Sequence, residues 1–238
     1  MPIATRSPDP VHVRGGPVGC LVLHGFGGSP AEVRPLVDGL AARQFTVCAP
    51  VLPGHGPGAA DLGSTRFRHW IRGAEAALDQ LRAGCAEVHL VGFSMGGLIA
   101  LHLAARHPVG SVCTLAAPIL ADDPARIGGR LARYLGDPAP VMPALRSLVR
   151  LARLTRRQLG RVQVPVLAVQ GDRDDWIAPE SAAYLAAHLP SAGVWVVPGR
   201  GHFLALERGR ETLVARVAEW MIVTREQKCP QRNESFPE

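Results

Sequence analysis

The stretch VGFSMGGLIA, residues Val91 to Ala100, sets Ser94 between two glycines at the spacing Gly-x-Ser-x-Gly. The apolar run VHLVGF before it has the character of a buried strand, and LIALHLAARH after it that of a helix. A strand that turns sharply into a helix strains the serine backbone, lifts the hydroxyl above the carboxyl edge of a sheet, and needs small residues on both sides to keep the turn clear. With 26 glycines in 238 residues the short pattern alone is weak, so the flanking strand and helix carry the reading. The chemistry implied is nucleophilic acyl transfer. A serine hydroxyl is a poor nucleophile at neutral pH and needs a general base, which in turn needs a carboxylate to orient it.

Where the serine ends one strand, an acid and then a base are expected at the ends of later strands. After the strand-like PVLAVQ comes GDRDDWIAP, and after VWVVPG comes RGHFLAL. His202, in the second of these loops, is the candidate base among nine histidines. Asp172, Asp174 and Asp175 all lie near the first strand end. Asp174 is favoured because GDRDDWIAP has the form Gly-x-x-Asp-x-x-apolar-x-Pro, with Ile177 placed to pack back and Pro179 to open a helix. Two backbone N–H groups could receive the oxyanion: Met95, first after the serine at a helix N-terminus, and Phe26 in HGFGG, after the strand CLVL. His55, in LPGHG (52–56), reads as loop structure, because it precedes the serine while the base should follow the acid.

These residues require a particular frame. Strand-like runs at Val18 to Leu23, Phe45 to Pro50, Val88 to Phe93, Ser111 to Ala116, Val166 to Gln170 and Val194 to Val197 alternate with helical patterns near 30–43, 67–83, 95–106, 179–188 and 204–222. Such alternation is the signature of βαβ units around a parallel sheet. Ser29, Pro30 and Glu32 predict a Ser-x-x-Glu capping box at the first helix. Residues 118–162 break the alternation and read as a cap inserted into a core of residues 1–117 and 163–224. Within the cap, Leu145, Leu148, Val149 and Ala152 recur at helical spacing, while Arg146, Arg150, Arg153 and Arg157 line another side. One amphipathic helix, about 144–158, is expected there, its apolar side over the mouth of the site. The polar stretch 225–238, with two prolines, is expected to be a frayed tail.

Composition narrows the function classes. Hydrophobic residues make up 47% and charged residues 19% of the chain, which fits a globular α/β domain rather than a disordered chain. No apolar run approaches the 18 or so residues that span a bilayer, and no secretory signal pattern is visible, so the cytoplasm is the expected location. The five cysteines form no Cys-x-x-Cys pair and are odd in number, against both a disulfide frame and a zinc site. Cys20, Cys48 and Cys113 read as buried free thiols. Nine arginines against Asp122, Asp123 and Asp137 in residues 119–162 account for the whole net charge of +6. Tyr134 is the one aromatic residue in that segment, which argues against nucleic-acid binding. No phosphate-binding loop, dinucleotide fingerprint or metal cluster is apparent, so no cofactor is expected.

LVLHGFGGSP, LPGHG, GFSMGG and GDRDDWIAP…GRGHF together resemble signature segments of the α/β-hydrolase superfamily, and more narrowly of the bacterial carboxylesterases and monoacylglycerol lipases with a small cap. LRSLVRLARLTRRQLGRVQVPVLAVQ resembles that family's cap-to-strand passage. The likeness runs from about Val18 to Trp220. It implies a mostly parallel central sheet with helices on both faces and a small helical cap. It also implies Ser94 as nucleophile, Asp174 as acid, His202 as base and Phe26 and Met95 as backbone donors. The expected activity is hydrolysis of carboxylic esters with short to medium acyl chains. The alternative is a thioesterase acting on acyl-CoA or carrier-protein thioesters. The cap departs from the family in being short and rich in arginine.

Overall fold

The runs Val18–Leu23 (β2) and Glu87–Phe93 (β4) are buried along almost their whole length, because they lie side by side in the middle of a sheet covered on both faces. In this computed structural model, which describes residues 9–55, 61–135 and 137–228, they are joined by Val11–Val13 (β1), Thr46–Ala49 (β3), Val112–Leu115 (β5), Val166–Gly171 (β6) and Ala192–Val197 (β7). The order across the sheet is β1-β3-β2-β4-β5-β6-β7. Only the edge strand β1 is antiparallel among the described pairs.

The helices are Arg34–Ala41 (α1), Phe67–Gly84 (α2), Met95–Ala104 (α3), Pro124–Leu135 (α4), Met142–Gln158 (α5), Glu180–His188 (α6) and Arg210–Lys228 (α7). Leu36, Val37 and Leu40 of α1 and Leu213, Val217 and Met221 of α7 bury one sheet face. Residues of α2, α3, α5 and α6 form the core on the other. After β2 the chain moves outward to β3, then returns across β2 to β4. This reversal opens a crevice at the carboxyl ends of β2 and β4, the place where parallel α/β sheets bind ligands. The HGFGG loop and Ser94 both start there.

The segment between β5 and β6 carries two helices where the periodicity predicts one. Helix α4 eludes pattern reading because Gly128 and Gly129 interrupt it, at a cost of roughly 1 kcal/mol each relative to alanine. Gly128 has a packing reason: a Cβ there would meet Met142 Sδ at 3.2 Å and Leu145 at 3.4 Å, so its absence lets α4 close onto α5. On α5 the two faces fall as expected. Leu145, Leu148, Val149 and Ala152 are buried, while Arg146, Arg150, Arg153 and Arg157 are exposed. The helix packs against α2, α3, α4 and the turn at Leu62–Ser64, with Leu148 and Ala152 of its buried face in the main core. The side chains of Arg133 and Tyr134 lie outside what the structure describes.

Three helix boundaries differ from the pattern by more than two residues. The first helix is split into a 3-10 turn, Pro30–Glu32, and α1, which begins anew where Pro35 fits a helix start. The last helix begins at Arg210 instead of 204, because Gly209 takes φ +73°, outside helical space. It also continues to Lys228, four residues into the expected tail, since RxQK-type helix formers follow without a breaker until Pro230. Residues 229–238, Cys229 among them, lie outside the described residues, as does Gly56. Cys20, Cys48 and Cys113 are buried free thiols, and burial pushes all three thiol pKa values up.

Candidate active site

Ser94 sits between β4 and α3 with φ +51° and ψ −118°, a backbone conformation that disfavours any side chain. The flanking glycines make the turn possible. A Cβ on Gly92 would lie 2.3 Å from the Gly96 carbonyl, and one on Gly96 would lie 2.3 Å from the Leu23 oxygen and 2.8 Å from that of His24. Gly96 thus brings the start of α3 against the end of β2 and sets the HGFGG loop beside the serine. Ser94 is 9% exposed, and its hydroxyl makes no hydrogen bond among the described residues. Phe93, one residue earlier, packs on the His202 ring at a centroid distance of 5.0 Å.

His202 and Asp174 are brought together: His202 Nδ1 stands 2.9 Å from Asp174 Oδ2, with both side chains buried. The same oxygen accepts a hydrogen bond from Gln170 Nε2 at 2.8 Å, and Oδ1 accepts from the N–H groups of Trp176 and Ile177, each at 2.8 Å. Burial alone would push this carboxyl up. The bond from His202, its charge and the Ile177 and Trp176 N–H groups outweigh burial and hold the pKa below the ordinary value. The two neighbouring aspartates do other work or none. Asp172 is exposed and accepts from Gly199 N–H at 2.7 Å, and Asp175 is exposed.

Two loop contacts hold this pair in place. Gly171 ends β6 where a Cβ would meet the Arg200 oxygen at 2.3 Å, so the acid and histidine loops touch backbone to backbone. Gly201 N–H donates to Glu207 at 3.0 Å. The Trp176 ring stacks on His202 at 17° and 5.6 Å, and its carbonyl accepts a hydrogen bond from Arg130 of α4, which ties the segment between β5 and β6 to the acid loop. Gln170 and Trp176 escaped the sequence reading. The signal available was a glutamine inside an otherwise apolar buried strand.

Phe26 N–H has no acceptor among the described residues, and Met95 is the first residue of α3, where an amide lacks an intrahelical partner. His24 and His55 pack beneath the loop with Phe26 and Trp70. Burial lowers the His24 pKa to about 3, with His55 adding to the shift, and burial lowers that of His55 to about 4, so both are neutral at pH 7. The Ser29 hydroxyl caps the 30–32 turn at Ala31 N–H, but Glu32 does not close the expected capping box. Its carboxylate accepts instead from Gly25 N–H at 3.1 Å, because the loop folds back over it.

Burial pushes the Glu32 carboxyl up from 4.5 to about 7, the Gly25 hydrogen bond opposing. A carboxyl whose folded pKa exceeds its unfolded one binds its proton more tightly when folded. The resulting destabilisation is absent below pH 4.5, grows between 4.5 and 7, and is constant above. Glu32→Gln removes this ionisation. Its melting temperature relative to wild type is therefore expected to rise from pH 5 to about pH 7 and to level off by pH 8, by the equivalent of up to about 3 kcal/mol. Thermal melts at four pH values check this, and a difference that does not change with pH would refute it.

A serine on a strained strand-to-helix turn, followed by an aspartate and a histidine that meet at later strand ends, defines a hydrolase-type α/β fold. A profile of the alpha/beta hydrolase family matches residues 20–216, and the chain belongs to that family. It is 32% identical to the thermostable monoacylglycerol lipase of Bacillus sp. strain H-257, over 89% of this chain and 93% of the relative. It is 29% identical to a pimeloyl-[acyl-carrier protein] methyl ester esterase of Neisseria meningitidis, over 76% and 85% of the two chains. A solved structure reported for the metagenome-derived lipolytic enzymes LipS and LipT superposes with a TM-score of 0.83 at 24% identity, covering 91% of this chain and 98% of that one. The protein is an esterase- or lipase-type hydrolase. Among the described residues, no helix is long and apolar enough to cross a membrane.

Proposed function

We propose that this hydrolase cleaves carboxylic esters of short to medium acyl chains through an acyl-enzyme, with Ser94, His202 and Asp174 as the catalytic triad. The observation that carries the reading is the buried Asp174–His202 pair at 2.9 Å, with Phe93 joining the histidine to the strained turn of Ser94. Ser94 Oγ attacks the ester carbonyl as His202 Nε2 takes its proton, and the tetrahedral oxyanion is received by the N–H groups of Phe26 and Met95. His202 then returns the proton to the departing alcohol. Water, deprotonated by the same nitrogen, hydrolyses the acyl-enzyme and frees Ser94.

A small cleft of about 80 Å³ lies beside Trp176, lined by Pro118, Leu120, Ile127 and Ile177 together with the charged Asp122, Asp123, Arg126 and Arg130. Neither Ser94 nor His202 lines it, and the short-to-medium acyl range follows from the shortness of the cap segment. The cap-side wall of the cleft comes from α4, whereas the apolar face of α5 is spent on the core. A p-nitrophenyl ester series from C2 to C12 tests the reading, with kcat/KM expected to peak near C4 and a fluorophosphonate probe expected to label Ser94. Preference for C12, or labelling elsewhere, would overturn it.

A second reading, hydrolysis of acyl-CoA or carrier-protein thioesters, is favoured by one observation. Arg146, Arg150, Arg153 and Arg157 are exposed on one side of α5, and among the described residues none is paired with a carboxylate. A relative acts on an ester carried by an acyl-carrier protein. For the ester reading, Arg150→Glu with Arg153→Glu is expected to change kcat/KM for p-nitrophenyl butyrate less than about twofold, because exposed charges act through a field screened within about 10 Å at 0.1 M salt. If the same pair raises KM for butyryl-CoA about tenfold or more, and 1 M salt abolishes the difference, the thioester reading leads.

A further inference from the structure

We propose that Glu32 is a positioning residue of the oxyanion loop, its buried carboxyl fixing the His24–Gly25 peptide from behind so that Gly25 and, through it, the Phe26 N–H are held in one orientation. The proposal rests on the serine-esterase reading given above. Gly25 is secured on both sides. Its N–H donates to Glu32 Oε2 at 3.1 Å, and its carbonyl oxygen faces His24 Nδ1 at 2.9 Å and accepts from Gly28 N–H at 3.3 Å. His24 Nε2 accepts from Leu52 N–H at 3.1 Å, which leaves the ring proton on Nδ1, where it donates to Gly25. In a trans peptide the C=O and the following N–H point in opposite directions, so anchoring the Gly25 oxygen aims the Phe26 N–H the other way.

The loop sequence is fitted to this carboxyl. A Cβ on Gly28 would come within 2.0 Å of Glu32 Oε2, and one on Gly25 would meet the same oxygen at 3.3 Å and the Phe93 ring at 3.1 Å. Two glycines of HGFGG thus admit a carboxyl that is 6% exposed. A glutamate serving only as a helix cap would sit in water and reach its own turn. This one reaches seven residues back, into the loop that supplies a candidate oxyanion donor. Preorganised donors stabilise a transition state because they need no reorientation as charge develops, and a displacement of about 1 Å can cost on the order of 100-fold in rate.

The test compares Glu32→Met, which keeps volume but loses the acceptor, with Glu32→Gln, which keeps an oxygen at the same reach. Steady-state kinetics on p-nitrophenyl butyrate and inhibition by a trifluoromethyl ketone, which forms a tetrahedral adduct with an active serine, are measured on both. Glu32→Met is expected to lower kcat about 10- to 100-fold with KM within about twofold, and to weaken the inhibitor by a similar factor. Glu32→Gln is expected to retain at least about a third of kcat, because the amide oxygen still accepts from Gly25.

If Glu32→Met fails to fold, Glu32→Asp, which withdraws the acceptor by one methylene, should show the same split between kcat and KM. A folded Glu32→Met or Glu32→Asp enzyme with kcat within twofold of wild type would overturn the proposal, as would equal losses in Met and Gln variants accompanied by a raised KM. Wild-type hydrolysis that is independent of Ser94 would remove the esterase reading and this proposal together. Ser94-dependent hydrolysis with normal Glu32 variants would remove this proposal alone.

Discussion

Ser94→Ala is expected to lower kcat/KM for p-nitrophenyl butyrate by about 10⁴- to 10⁶-fold, the scale on which removal of a triad serine acts, with residual turnover supplied by substrate binding and the oxyanion donors. The variant should remain folded, because alanine fits the 9% exposed site, but it keeps the strain of a side chain at φ +51°. Ser94→Gly separates the two contributions. Glycine is at ease at positive φ, so this variant should be equally inactive yet more stable by roughly 1 kcal/mol, raising the melting temperature by about 2–4 °C in a domain of this size. Activity assays and calorimetry on the pair check both statements. More than about 1% residual activity in either variant would remove Ser94 from the nucleophile's role. Equal melting temperatures would mean that the turn stores no strain.

The parts of the fold legible in the sequence are those where burial leaves little choice. Val18–Leu23 is a strand to the residue, because a central parallel strand covered on both faces must be apolar throughout. Asp174 and His202 are legible for a related reason: the sheet order puts their loops at the same edge as Ser94, and the structure joins them at 2.9 Å. The edge strand β1 is hidden because three residues, one polar, carry no periodicity. Helix α4 is hidden because Gly128 serves contact with α5 and both of its glycines lower its own propensity.

Glu32 shows a different failure. Ser29 and Glu32 have the spacing of a capping box, and local reading assigns the carboxyl to its own turn. Its actual partner, Gly25 N–H, lies on a loop that folds back over it, a tertiary contact that spacing cannot reveal. Gln170 escaped for the same reason, since its partner Asp174 is set by the turn after β6. What stays illegible is the supporting shell, whose members are chosen by geometry that exists only after the loops have packed.

That shell makes Asp174→Asn the sharper probe of the acid. Asp174 Oδ2 receives two donors, Gln170 Nε2 and His202 Nδ1, while Oδ1 receives two backbone N–H groups. An asparagine oxygen can satisfy the backbone pair, but its NH₂ would then face Gln170 and His202 donor to donor. His202 relieves the conflict by moving its proton to Nε2, the nitrogen that accepts from Ser94 in the proposed triad. The expected loss is about 10³- to 10⁴-fold in kcat with the fold retained, whereas Asp172→Asn and Asp175→Asn, both at exposed positions, should stay within about threefold of wild type.

Acid titration adds an independent reading. The Asp174 pKa is lowered on folding, so the stability it contributes is present above its ordinary value of 3.8 and is lost as pH falls through the folded value. Wild type should therefore lose stability below about pH 4 more steeply than Asp174→Asn, which has no carboxyl there to protonate. If Asp172→Asn or Asp175→Asn shows the larger kinetic loss, the orienting role passes to that residue. If all three variants stay active, His202 works without a carboxylate partner.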